Sequence, residues 1–172
     1  MNRMCLGTLL VAIAGIAGAA PAEVPEAIKA PAGETVLLRA HAIGYQVYTC
    51  TVAADQSASW VLKAPDAQLR DRKHVVVGKH FAGPTWQYKD GSSVSGKATA
   101  HAESPDKSSI PWLLVSATGH SGEGLLATVT SIQRINTRGG RAPADSECTS
   151  AKAGAESRVK YAADYVFYAP KK

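Results

Sequence analysis

Residues 158–170 read "RVKYAADYVFYAP", and their parity decides the fold. Tyr161, Ala163, Tyr165 and Phe167 fall on one side of an extended chain; Ala162, Asp164, Val166 and Tyr168 fall on the other. Successive side chains of a strand point to opposite faces, so this segment is a strand that turns one aromatic face to a core. "YQVYTCTV" (45–52) repeats the pattern, with Gln46, Tyr48 and Cys50 opposite Tyr45, Val47 and Thr49. "SASWVLK" (57–63), "HVVVGKHF" (74–81), "SVSGKATAHA" (93–102), "IPWLLVSATG" (110–119) and "LLATVTSIQRIN" (125–136) are further β-rich segments, cut by Gly, Pro, Asp and Ser. Short strands at such spacing imply an all-β domain, an antiparallel sandwich or distorted barrel. One short helical turn is expected at "APDAQLRD" (64–71), with Asp66 as its cap.

At the other end the chain begins "MNRMCLGTLLVAIAGIAGAAPAEVPE". Arg3 precedes an uncharged apolar run from Leu6 to Ile16, and small residues in A-x-A patterns follow at Ala17–Ala19 and Ala20–Ala22. That order is the layout of a secretory signal peptide over residues 1–22, rather than of a buried helix, and the run is too short for a span of about 20 residues. Cys5 lies before the apolar run, where lipidation does not occur, and no later segment is long and apolar enough to be a transmembrane segment. The expected product is periplasmic or secreted, with an extended lead-in over 23–34 and a single β domain over 35–172.

Cleavage removes Cys5 and leaves Cys50 and Cys148, which in an exported chain are expected to form a disulfide across 98 residues. A metal pair or two free thiols are the alternatives, but there is no C-x-x-C and no nearby histidine spacing. Closing such a loop stabilises a fold by about 4–5 kcal/mol at most. Lys+Arg number 19 against 14 Asp+Glu, a net charge of +5, too modest for a nucleic-acid footprint. "TRGGR" (137–141) is accordingly read as a Gly-Gly turn between solvated arginines.

The stretch "GKHFAGPTWQYKDGSSVSGK" (78–97) concentrates the candidate chemistry. Gly83-Pro84 and Asp90-Gly91 are turn signals, so each residue has an ordinary use in a sheet corner, with Trp86 in the core and Asp90 serving its turn. The functional alternative is a cleft where His80, Trp86, Asp90 and Ser92 bind a ligand, with His80 as acid/base or metal ligand and Trp86 as an apolar wall. The five histidines show neither H-x-H nor helical i, i+4 spacing, so no metal site is assigned. Arg134 and Asp164 each interrupt an apolar β pattern, and a charge turned inward must be paired. The simplest expectation is a structural Arg134–Asp164 ion pair; the other has Arg134 gripping an anionic ligand. "GHSGEG" (119–124) has the wrong glycine spacing for a nucleophile elbow at Ser121 or for a dinucleotide turn, and is read as a flexible loop.

Taken in order, "GYQVYTC", "WVLKAPDAQL", "VGKHFAGPTWQYKDGSSVSG", "IPWLLVSATG", "GEGLLATVTSIQRINTRGGRAP", the cysteine after it and "YAADYVFY" make a recognisable set from Gly44 to Tyr168. The set resembles an exported bacterial and fungal family, domain of unknown function 3455. The resemblance implies an exported domain and the Cys50–Cys148 pairing but supplies no activity. Gln87 and Tyr88 stand where the family pattern has an acidic residue, so no carboxylate role rests there. Some fungal members carry a malate dehydrogenase label, for which this chain lacks the G-x-G-x-x-G turn.

These readings make the protein an exported, non-catalytic binding or envelope-associated domain for a small molecule, a glycan or an envelope component, with no cofactor and no nucleic acid. The rival is an enzyme built on His80 with Asp90 or Arg134, with or without a metal. Binding predicts exposed aromatics and no convergence of titratable groups, and catalysis predicts His80 within about 3 Å of another polar side chain in a concave pocket.

Overall fold

The computed structural model describes residues 23–172, so the expected signal segment and Cys5 lie outside the described residues. Eight antiparallel strands form one sheet: β1 (Glu34–Val52), β2 (Ala58–Arg70), β3 (Val76–Phe81), β4 (Thr85–Tyr88), β5 (Ser93–Ala102), β6 (Trp112–Ser121), β7 (Ser131–Gly139) and β8 (Glu156–Pro170). Each strand pairs with the next, and β8 returns to pair with β1 along nearly its whole length, closing the ring. Closure removes the exposed edges that an open sheet would leave. The ring is not a regular barrel: register shifts interrupt five of its eight pairings, those of β1 with β2 and β8, β2 with β3, β5 with β6 and β7 with β8. The expected all-β fold thus takes its distorted-barrel form.

The parity of 158–170 holds. Tyr161, Ala163, Tyr165 and Phe167 are all buried in the main core, with Trp86, Leu69, Val94, Val115 and Ile132. Small residues make room for these rings: Ala40 pairs with Tyr165, Ala42 with Ala163 and Gly44 with Tyr161. Gly44 is obligatory for its size, because a Cβ there would lie 2.2 Å from the Asp66 carbonyl oxygen and 2.5 Å from Ala67 Cα. Val166 points the other way yet is buried as well, because the lead-in covers it. Residues Glu26–Ile28 form a single 3-10 turn that seats Ile28, fully buried, against Trp112, Ile135 and Val166. Gln133 Nε2 donates to the Ile28 carbonyl at 2.6 Å. The lead-in is therefore packed onto the domain rather than hanging from it.

The helical turn expected at 64–71 is a strand. Ala67 and Leu69 alternate inward between exposed Asp66 and Gln68, so the segment obeys a period of two and pairs with β1 from His41↔Arg70 to Val47↔Ala64. Asp66 caps nothing; its carboxylate accepts from Arg158 Nη2 at 2.6 Å. Pro65 is tolerated because β3 pairs with β2 only from Ala67 to Arg70, which leaves the first half of β2 an edge. Among the described residues helical geometry occurs instead in four 3-10 turns, at Glu26–Ile28, Leu125–Thr128, Asp145–Glu147 and Ser150–Lys152. The β segment expected from Leu125 thus begins only at Ser131.

Cys50 and Cys148 form the expected disulfide, tying the end of β1 to the loop between β7 and β8. Among the described residues no helix is long and apolar enough to cross a membrane.

Candidate functional site

The β3–β4 hairpin places His80 directly across from Trp86, and their rings stack with centroids 4.3 Å apart and planes 6° from parallel. Cross-strand neighbours on one face stand close enough for this contact, and the hairpin turn at Gly83-Pro84 fixes the register. Tyr165 meets both rings edge-on, at 5.1 Å from His80 and 5.4 Å from Trp86. His80 is 3% exposed. Its Nδ1 lies 2.9 Å from the Thr85 carbonyl oxygen, which can only accept, so Nδ1 carries the proton and Nε2 is a bare acceptor. Burial pushes the imidazole down to about 3; the Thr85 bond opposes that shift and the charge of Arg134 adds to it.

Arg134 enters from β7 across the ring. Its Nε and Nη2 both donate to the Pro111 carbonyl oxygen, at 3.2 and 2.8 Å. Among the described residues no carboxylate pairs with it. The expected Arg134–Asp164 ion pair does not form, because the register sets Arg134 opposite Tyr165 and Asp164 opposite Ile135. One residue of offset puts the two charges on opposite faces of the sheet. Asp164 lies on the outer face, accepting from His41 Nδ1 at 2.7 Å and Asn136 Nδ2 at 2.8 Å.

Gln46, His80 and Arg134 line one pocket of about 710 Å³, together with apolar Leu62, Ala64, Pro65, Pro84, Ala98 and Leu113. Its mouth opens where β3 and β4 end at the Gly83-Pro84 turn and the first half of β2 runs without a β3 partner. Lys63 and Lys97 stand at the rim. Behind the lining stand the rings of Trp86, Tyr161 and Tyr165. Gln46 Oε1, Trp86 Nε1, Tyr161 Oη and Tyr165 Oη are buried and have no hydrogen-bond partner. Burial raises both phenols above their ordinary range, while the Arg134 charge pulls them back; Arg134 and Tyr161 both approach the Tyr165 hydroxyl, although neither reaches hydrogen-bonding geometry.

Each unsatisfied buried polar group costs about 1–3 kcal/mol. Trp60, Arg70 and Trp112 leave buried nitrogens unpartnered elsewhere among the described residues; what sets this group apart is that Gln46 and the two phenols gather about the charge of Arg134. Arg134 can grip a carboxylate, while the bare Nε2 of His80 can only accept a donor and the apolar lining can take a planar or hydrocarbon body.

Asp90 and Ser92 are not part of this pocket. Asp90 Oδ1 accepts from the Ser92 backbone N–H at 2.9 Å and its hydroxyl at 2.6 Å, and Oδ2 accepts from Leu125 N–H at 2.8 Å. The Leu126 N–H in turn donates to Ser92 Oγ at 3.0 Å. These bonds, that of Leu125 first, hold the Asp90 carboxyl below its ordinary range. Gly124, at φ +140°, lies against the Asp90 carboxylate so closely that a Cβ would meet Oδ2 at 2.4 Å. The two loops singled out in the sequence therefore do meet, but as a clasp. Ser121 ends β6 exposed and leads into the 3-10 turn Leu125–Thr128, without the glycine spacing of an elbow.

Neither discriminating expectation holds as stated. The aromatics about the pocket, Trp86, Tyr161 and Tyr165, are buried rather than exposed, and titratable groups do converge, yet the hydrogen-bond partner of His80 is a backbone carbonyl. Among the described residues no three His, Cys, Asp or Glu side chains stand together to hold a metal ion. A second concavity of about 680 Å³ on the outer face is lined by half-buried Tyr45 and exposed Lys79, Arg158 and Lys160 among others, and Arg158 there already serves Asp66. Sequence reasoning missed Gln46, Tyr161 and Tyr165 as site residues. The signal for Gln46 was its parity with Tyr48 and Cys50, which places an amide on the core face.

A family model described as "Protein of unknown function (DUF3455)" matches residues 31–169. No curated protein and no solved structure matches the chain.

Proposed function

The chain belongs to the DUF3455 family, and from that premise we propose that it is an exported, non-catalytic binding domain that holds a small organic acid inside its barrel, free or as part of an envelope component. The observation that carries the reading is the half-buried guanidinium of Arg134, oriented by Pro111, without a carboxylate, and lining a pocket with Gln46 and His80. A cation in that position lowers its free energy by taking an anion, and bidentate pairing with a carboxylate is the geometry that guanidinium favours. The volume lies within the range of small-molecule sites. Export is supported by the charge-then-apolar-then-small order of residues 1–22 and by the disulfide.

A non-catalytic role is favoured over the His80-centred enzyme because that imidazole, held neutral down to a pH of about 3, has no second side chain to relay a proton. The test is a melting scan of the disulfide-bonded chain with a panel of organic acids and their neutral amides. A ligand at a hundred times its dissociation constant adds about 2.7 kcal/mol, a rise of several degrees in Tm. The expected result is a rise with at least one acid and none with its amide; equal rises with both, or no rise with any acid, would remove the reading.

A further inference from the structure

Resting on that binding reading, we infer that the acid held by Arg134 also carries a hydroxyl or amide N–H that donates to Nε2 of His80, so that the pocket selects hydroxylated organic acids over plain ones. The Thr85 carbonyl fixes the tautomer, and the stack on Trp86 fixes the plane of the ring. The imidazole therefore presents one bare acceptor in a known direction, and among the described residues no donor meets it. The Nε2 of this residue, 3% exposed, is not sealed in the core as Gln46 Oε1 is, so it can meet a group that enters the pocket.

The charge of the missing donor follows from what surrounds it. Arg134, Lys63 and Lys97 line the pocket and no acidic side chain does. Lys63 is already paired with Glu156, but an ammonium donor would still meet Arg134 and Lys97 with no acidic side chain in the lining, so the donor is neutral. The lining also includes apolar Ala64, Pro65, Pro84, Ala98 and Leu113, which suit a hydrocarbon body. The ligand so described has a carboxylate at one end, an apolar middle and a neutral donor at the other.

Calorimetric titration of the disulfide-bonded chain with matched pairs tests this: benzoate and 4-hydroxybenzoate, 3-phenylpropanoate and 3-(4-hydroxyphenyl)propanoate, decanoate and 10-hydroxydecanoate. In the best-fitting pair the hydroxylated acid is expected to bind about tenfold tighter, the worth of one buried neutral hydrogen bond. In His80→Phe, which keeps a ring on Trp86, the gap should close while the acid still binds. Nitrogen-15 labelling of histidine gives a readout on the unsubstituted chain: the ligand should move the Nε2 resonance of His80 and leave Nδ1 protonated. Equal affinities within every pair that binds, or an unmoved Nε2, would overturn the inference and leave the binding reading standing. If no acid of either kind binds, both fall.

Discussion

Two polar clusters lie near opposite ends of the β4 strand, and they are finished to different degrees. At the clasp, one carboxylate and one hydroxyl from Asp90 and Ser92 accept or donate every bond in reach, and two backbone N–H groups of the following 3-10 turn are satisfied by them. At the pocket, Gln46, Trp86, Tyr161 and Tyr165 leave buried atoms unpartnered, and Arg134 has no carboxylate. A network completed by the chain itself holds the fold together; one left incomplete stores a cost of several kcal/mol that a ligand would repay.

The largest expected difference between the two appears in acid. His80 falls from the ordinary imidazole value to about 3 in the folded chain, so the unfolded chain binds more protons between those values. Its contribution to stability is complete above about pH 6.5 and is lost as the pH drops towards 3. Denaturant melts at pH 7 and pH 4 should show a loss of about 3 kcal/mol from this group, and His80→Phe should flatten that limb. An unchanged acid limb in the variant would mean that the imidazole is not held neutral by the fold.

Next in size is Ser92→Ala, which strands the buried Leu126 N–H and the second half of the clasp. It should cost about 1–3 kcal/mol in urea melts and leave binding of the organic acid unaltered. Tyr165→Phe is expected to act in the opposite sense, stabilising the ligand-free chain by up to about 1 kcal/mol, because it removes a hydroxyl that has no partner. A destabilised Tyr165→Phe would show that the hydroxyl is already bonded and that the two clusters are alike. The smallest effect is expected from Asp164→Asn on the outer face, within about 0.5 kcal/mol by thermal melt, since one of His41 and Asn136 keeps an oxygen to meet and the other is exposed enough to turn to water.

Much of this contrast was legible in the sequence, and the part that was not has a physical cause. The parity of Tyr161, Ala163, Tyr165 and Phe167 gave both the strand and its inward face, because burial on one side imposes a period of two. The cysteine pair followed from counting once the N-terminal segment was set aside. "APDAQLRD" misled because Asp before a polar run is a sound local cap signal, and only pairing with both β1 and β3 overrides it. His80, Trp86 and Arg134 were singled out and the ring brings them together, but Asp90 and Ser92, as close to Trp86 in sequence, face a different loop. Arg134 and Asp164 were paired on the ground that each broke an apolar pattern. Their true faces depend on the β7–β8 register, and a shift in that register between Ile135 and Arg138 is invisible in either strand alone.

The central claim is that the incomplete cluster, and not the complete one, exists for a ligand. Calorimetric titration of one organic acid into the unsubstituted chain, Arg134→Gln and Ser92→Ala, each melted first to verify folding, tests it most directly. The account predicts a loss of about a hundredfold in affinity for Arg134→Gln, which also gives up its two bonds to Pro111 and melts somewhat lower, and unchanged affinity for the less stable Ser92→Ala. Equal affinities in all three, or a parallel loss in both variants, would contradict it.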